Sequence, residues 1–124
     1  MRTARTALGL APVWIAWKHS FYGEGGPDGI YGDGGDDEIF SGASGTYDDF
    51  ASGWTRADVI DGGGDRDVLA GYTGNDILVA GGGNDQMVGE GDNDALVGQD
   101  GTDRADGGGG TDYCDAETEI DCEI

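Results

Sequence analysis

Histidine occurs once in this 124-residue chain, at His19, and cysteine twice, at Cys114 and Cys122. So sparse a set cannot build the Cys/His cage of a structural zinc site, and no H-E-x-x-H motif is present. Gly42-Ala43-Ser44-Gly45 falls short of the G-x-S-x-G nucleophile elbow, and no EF-hand loop pattern occurs. Carboxylate pairs abound, but a regular repeat accounts for them without a catalytic cleft, so no enzyme is expected. Lysine and arginine number 6 against 26 aspartates and glutamates, a net charge of −20. That charge excludes nucleic acid as a natural partner and disfavours anionic membrane surfaces. No run approaches the ~18 apolar residues of a membrane span. Leu, Ile, Val and Phe together supply only 21 of the 124 residues. With so much charge, such a composition ordinarily marks disorder, because apolar burial alone cannot offset the entropy of ordering the chain. Folding needs another source of free energy, and divalent cations are the natural counterpart of this charge.

The charge is unevenly spread. Residues 1–22 carry Arg2, Arg5 and Lys18 and no acid, whereas residues 23–124 carry every acid. The head reads as a secretory signal peptide, with an apolar stretch from Ala7 to Trp17. Pro12 interrupts that stretch and no A-x-A site follows it, so an N-terminal cap is the competing reading. In the latter, Trp14, Trp17, Phe21 and Tyr22 pack on the first turn of the body.

The body repeats every nine residues. From Gly53 onward the units read GWTRADVID, GGGDRDVLA, GYTGNDILV, AGGGNDQMV, GEGDNDALV, GQDGTDRAD and GGGGTDYCD. Upstream, residues 23–31 and 32–40 keep the frame, Ser41 to Ala43 break it, and residues 44–52 resume it. Position six is aspartate in all ten units: Asp28, Asp37, Asp49, Asp58, Asp67, Asp76, Asp85, Asp94, Asp103 and Asp112. Position eight is apolar in all ten, and glycine is frequent at positions one and four. A disordered acidic tail has no reason to place an apolar residue two positions after every repeat aspartate.

Glycine at positions one and four lets the chain curl so that carbonyls converge. Positions seven to nine read as a short strand whose central residue points inward. Carbonyls and a carboxylate are what calcium needs, since it takes about six to eight oxygen ligands in a flexible shell. Residues 44–52 lack glycine at positions one and four, and Arg56, Asp65 and Asp92 replace the position-four glycine elsewhere, so weak or no calcium binding is expected at those turns.

The ten units resemble the RTX (haemolysin-type) calcium-binding nonapeptide, G-G-x-G-x-D-x-U-x. The resemblance covers residues 23–115 and implies an all-β fold, a right-handed parallel β-roll of about five coils with two short-stranded sheets. Units n and n+2 then stack, with calcium between stacked turns, held by carbonyls and by the ten position-six aspartates. Two core ladders follow: Ile30, Ala51, Leu69, Met87 and Ala105; and Ile39, Ile60, Leu78, Leu96 and Cys114. Ten units allow at most eight stacked pairs, and the degenerate turns reduce the expected sites to four to six. Residues 116–124 lose the glycines and read as a C-terminal cap. Cys114 and Cys122 either pair as a disulfide or stand as two thiols; the former, similar to the ends of secreted bacterial members, is the reading carried forward.

The resemblance also implies a secreted, extracellular protein that is disordered without calcium and folds with it. Alternatives are a calcium-triggered folding or secretion module cut from a larger enzyme or toxin, or a structural or adhesive surface repeat. For the last, Tyr31, Phe40, Phe50, Trp54 and Tyr72 are the aromatics of interest.

Overall fold

The computed structural model describes residues 2–4, 19–23, 29–32, 34–40 and 50–122. Every element among them is a β-strand: β1 (Arg2–Ala4), β2 (His19–Tyr22), β3 (Gly29–Tyr31), β4 (Glu38–Phe40), β5 (Phe50–Thr55), β6 (Val59–Gly64), β7 (Val68–Thr73), β8 (Ile77–Gly83), β9 (Gln86–Gly91), β10 (Ala95–Gly101), β11 (Arg104–Gly109), β12 (Tyr113–Asp115) and β13 (Thr118–Ile120). From β2 onward, successive strands alternate between two sheets. One has the order β1-β2-β4-β6-β8-β10-β12 and the other β13-β11-β9-β7-β5-β3. Every pairing is parallel. This is the two-sheet β-solenoid of about five coils that the repeat implied.

The register places like on like. Ile30, Ala51, Leu69, Met87 and Ala105 form one ladder. Ile39, Ile60, Leu78, Leu96 and Cys114 form the other, which Phe21 extends by one rung beside Ile39. Phe21, Ile30, Ile39, Ala51, Ile60, Leu69, Leu78, Met87, Leu96 and Ala105 are all buried. The core is therefore chiefly two single files of side chains, one inward strand residue per unit, as side-chain alternation requires, with Ala80 packed beside them. Trp14 and Trp17 lie outside the described residues. Tyr22 stacks on Phe40 with ring centres 5.3 Å apart, and Trp54 on Tyr72 at 5.1 Å, both on the outer surface.

Rungs are 18 residues apart through most of the roll. Across the three-residue interruption the spacing becomes 21 in both sheets, so neither core ladder slips. The fully formed strands run six or seven residues rather than three. They continue from position seven into position three or four of the next unit, because turn backbones stay in register from coil to coil. Gly63 pairs with Gly81, and Gln99 also pairs with Gly81.

Cys114 and Cys122 form a disulfide, with Cα atoms 5.9 Å apart, so both cysteines are paired. It joins the last core rung of the first sheet to the residues that follow β13.

Candidate metal centre

The eight described position-six aspartates stand immediately before strands at the two corners of the roll. All are at most 4% exposed. Asp28 and Asp49 lie outside the described residues. At the first corner Asp37, Asp58, Asp76, Asp94 and Asp112 form one file. The backbone N–H of Asp37 donates to Asp58 Oδ1 at 2.8 Å, that of Asp58 to Asp76, that of Asp76 to Asp94, and that of Asp94 to Asp112. At the second corner Asp67 donates to Asp85 at 2.7 Å and Asp85 to Asp103 at 2.9 Å. Each carboxylate thus clips its own coil to the coil before it. The aspartate carbonyl binds the coil beyond, as Asp58 does in accepting from the Ile77 N–H at 2.9 Å.

The second oxygen tells a different story. Oδ2 of Asp58, Asp76, Asp94 and Asp103 is buried and accepts no hydrogen bond. A buried carboxylate oxygen in that state is costly unless a cation meets it. The electrostatics agree. Burial, reinforced by the charges of Asp76, Asp37 and Asp36, pushes Asp58 up to about 8. Burial, with Asp94 and Asp92 nearby, raises Asp76 to about 6; burial, with Asp112 and Asp92, raises Asp94 to about 6. The hydrogen bond that each accepts opposes the rise without cancelling it.

The turns bring the remaining donors. Positions two and four are left-handed in each fully described turn of the roll. At position two these are Trp54, Gly63, Tyr72, Gly81, Glu90, Gln99 and Gly108, and at position four Arg56, Asp65, Gly74, Gly83, Asp92, Gly101 and Gly110. Arg56, Asp65 and Asp92 hold φ of 80°, 76° and 79°, so the turn keeps its path despite losing glycine. The position-one glycine has another purpose. A methyl carbon built on Gly62 would lie 2.7 Å from Asp67 Oδ2 and 2.7 Å from the Ala80 carbonyl oxygen of the next coil. The same pair surrounds Gly32, with Asp37 Oδ2 at 2.7 Å and the Gly53 carbonyl at 2.9 Å. Glycine leaves these oxygens room to converge. Among the described residues the exception is Ala80, a buried position-one residue that carries a methyl at this point.

The position-four carbonyls point along the stack as well. A methyl on Gly74, Gly83 or Gly110 would strike the carbonyl oxygen of Arg56, Asp65 or Asp92, one coil below. No group of three or more His, Cys, Asp or Glu side chains that could hold a metal occurs among the described residues. The donor set is therefore one file of carboxylates per corner combined with turn carbonyls. Such an all-oxygen set suits a hard cation and fits calcium.

Two residues at this centre escape a nine-residue count. Glu117 closes the second file: its Oε2 accepts the Asp103 N–H at 2.8 Å, 14 residues away rather than 18. β13 begins five residues after β12 begins, where the strands from β6 to β12 begin nine apart. Asp121, at φ 46°, follows β13 directly. Counting in nines would give Asp121 the ladder place that Glu117 occupies. Only an unbroken period could have signalled these residues, and the shortened turn breaks it.

No helix among the described residues is long and apolar enough to cross a membrane. No curated protein and no solved structure matches the chain. The RTX calcium-binding nonapeptide repeat (four copies) matches residues 20–45, 43–78, 52–87, 61–96 and 88–121. With that match spanning most of its length, and with its solenoid and aspartate files, the chain belongs to the RTX calcium-binding nonapeptide repeat family.

Proposed function

We propose that this protein binds calcium along both corners of the roll, and that calcium binding drives its folding outside the cell. Asp28, Asp37, Asp49, Asp58, Asp67, Asp76, Asp85, Asp94, Asp103 and Asp112 are the carboxylate ligands, and turn carbonyls complete the shells. The observation that carries this reading is the buried Oδ2 of Asp58, Asp76, Asp94 and Asp103, which no protein group meets. Between the described turns there are four gaps at the first corner and two at the second, each a place for one ion.

Bound calcium supplies charge neutralisation at the centre of each gap. The chain's own part is to bring the carboxylates together, exclude water, and aim carbonyls between turns. Because those donors exist only when coils stack, binding free energy becomes folding free energy. Extracellular calcium modules bind at roughly 10⁻⁴ to 10⁻³ M, far above cytosolic calcium, so the chain stays unfolded until exported.

A far-ultraviolet circular dichroism titration from EDTA into millimolar calcium, with magnesium as control, tests this directly. A cooperative rise of β signal with calcium alone is expected. A spectrum that stays coil throughout, or one already β in EDTA and indifferent to calcium, overturns the proposal.

A further inference from the structure

The closing coil reproduces a piece of the ordinary corner from residues that lack the repeat. At three position-one glycines of the roll, a methyl would fall between the unit's own aspartate Oδ2 and the position-one carbonyl of the next coil. Gly32 and Gly62 show this, and so does Gly89, between Asp94 Oδ2 and the Gly107 carbonyl. Gly107 itself opens the last nine-residue unit of the frame, and the segment set beside it by the β11–β13 pairing lacks the repeat. Yet the equivalent point at Gly107 lies 2.7 Å from Asp112 Oδ2 and against the carbonyl oxygen of Asp121. The short turn at Ala116 and Glu117 sets β13 beside β11, so the residue after Ile120 arrives at a position-one place.

We propose that the Asp121 carbonyl completes one further calcium site, between the 107–112 turn and the closing coil, and that the Cys114–Cys122 disulfide holds it there. Cys122 is the residue after Asp121, and Cys114 lies two residues after Asp112. The covalent loop therefore ties the carboxylate half of the site to the carbonyl half. Apart from that bond, β13 is attached at an edge, through three residue pairs with β11. Calcium capacity thereby becomes dependent on oxidation: the oxidised chain carries a site that the reduced chain lacks.

The inference rests on the calcium reading above, and the test separates the two. Native mass spectrometry of the full chain in excess calcium counts bound ions for the oxidised wild type, the reduced wild type and oxidised Gly107→Ala. Circular dichroism in calcium verifies the β signal of each. One ion fewer is expected on reduction, and one fewer in Gly107→Ala, whose methyl fills the point between the two oxygens. A reduced or Gly107→Ala chain that keeps its β signal and binds as many ions as the oxidised wild type overturns the inference. If reduction abolishes the β signal, the oxidised Gly107→Ala comparison decides; if that variant fails to fold, the reduced wild type decides. An oxidised wild type that binds no calcium overturns the calcium reading itself, and the inference falls with it.

Discussion

Replacing Asp76 by asparagine should move stability in opposite directions with and without calcium. Asparagine retains an oxygen to accept the Asp58 N–H, which donates to Asp76 Oδ1 at 2.8 Å. What changes is Oδ2, a buried oxygen with no hydrogen bond, which becomes an uncharged NH₂. Without metal, the carboxyl is held near 6 rather than 3.8, so ionising it at pH 7 costs up to about 3 kcal/mol. Solvent screening lowers that to about 1–2 kcal/mol, which Asp76→Asn recovers. With calcium the sign reverses. A site held at a hundred times its Kd contributes about 2.7 kcal/mol, and Asp76 borders two gaps, so the variant loses about 3–5 kcal/mol. The assay is urea unfolding in calcium, paired with osmolyte-induced folding in EDTA, where a protecting osmolyte brings the metal-free chain into its folding range. A variant that is weaker in both conditions would refute the reversal of sign, because the unpartnered buried amide would then cost the metal-free fold more than the buried charge does. Equal stability in calcium would refute it too.

Acid should partly replace calcium. Asp58, Asp76 and Asp94 have raised folded values of about 8, 6 and 6, so the metal-free fold binds protons that the unfolded chain releases. Their stabilisation is complete below about pH 4 and is lost as pH rises through 6 and then 8; β signal in EDTA should therefore rise on acidification, and a flat or falling profile would count against it. Ala80→Gly should open a position-one point that carries a methyl, raising apparent calcium affinity or adding one ion by native mass spectrometry; no change in either would show that Ala80 does not obstruct its gap. Gly74→Ala should cost about 3 kcal/mol or more, combining a φ of +122° with collision against the Arg56 carbonyl, whereas Gly82→Ala, with open space around it, should stay within about 1 kcal/mol. Calcium midpoints of β signal for the two variants compare them, and similar midpoints would refute the turn geometry.

Much of this molecule was written in its period. An apolar residue every nine positions fixed both core files in order, because side chains alternate on a strand and only one residue per unit faces inward. The aspartates of the described turns fall on two corners for the same reason. Other features follow from stacking rather than composition. Left-handed position two holds Trp54, Tyr72, Glu90 and Gln99, none of them residues that announce a positive φ. Strand length beyond position nine depends on neighbouring coils keeping register through the turn, which no single unit reveals. Phe21 adds a rung from outside the nine-residue frame, and Glu117 reaches its ladder 14 residues after Asp103 rather than 18. In both places three-dimensional register persists where sequence spacing has changed.

The corner files also form a line of charge with its own solution physics. Adjacent parallel strands lie about 4.8 Å apart, so ionised rungs along a corner repeat at about that distance. In water two unit charges interact with the thermal energy at about 7 Å. Rungs closer than this repel one another, so each corner, once its coils stack, draws cations along its whole length and not at single turns alone. Divalent ions displace monovalent ones from such an edge with a gain of entropy. Sodium should then compete with calcium for the whole edge of the roll, and the calcium midpoint of folding should rise with salt concentration.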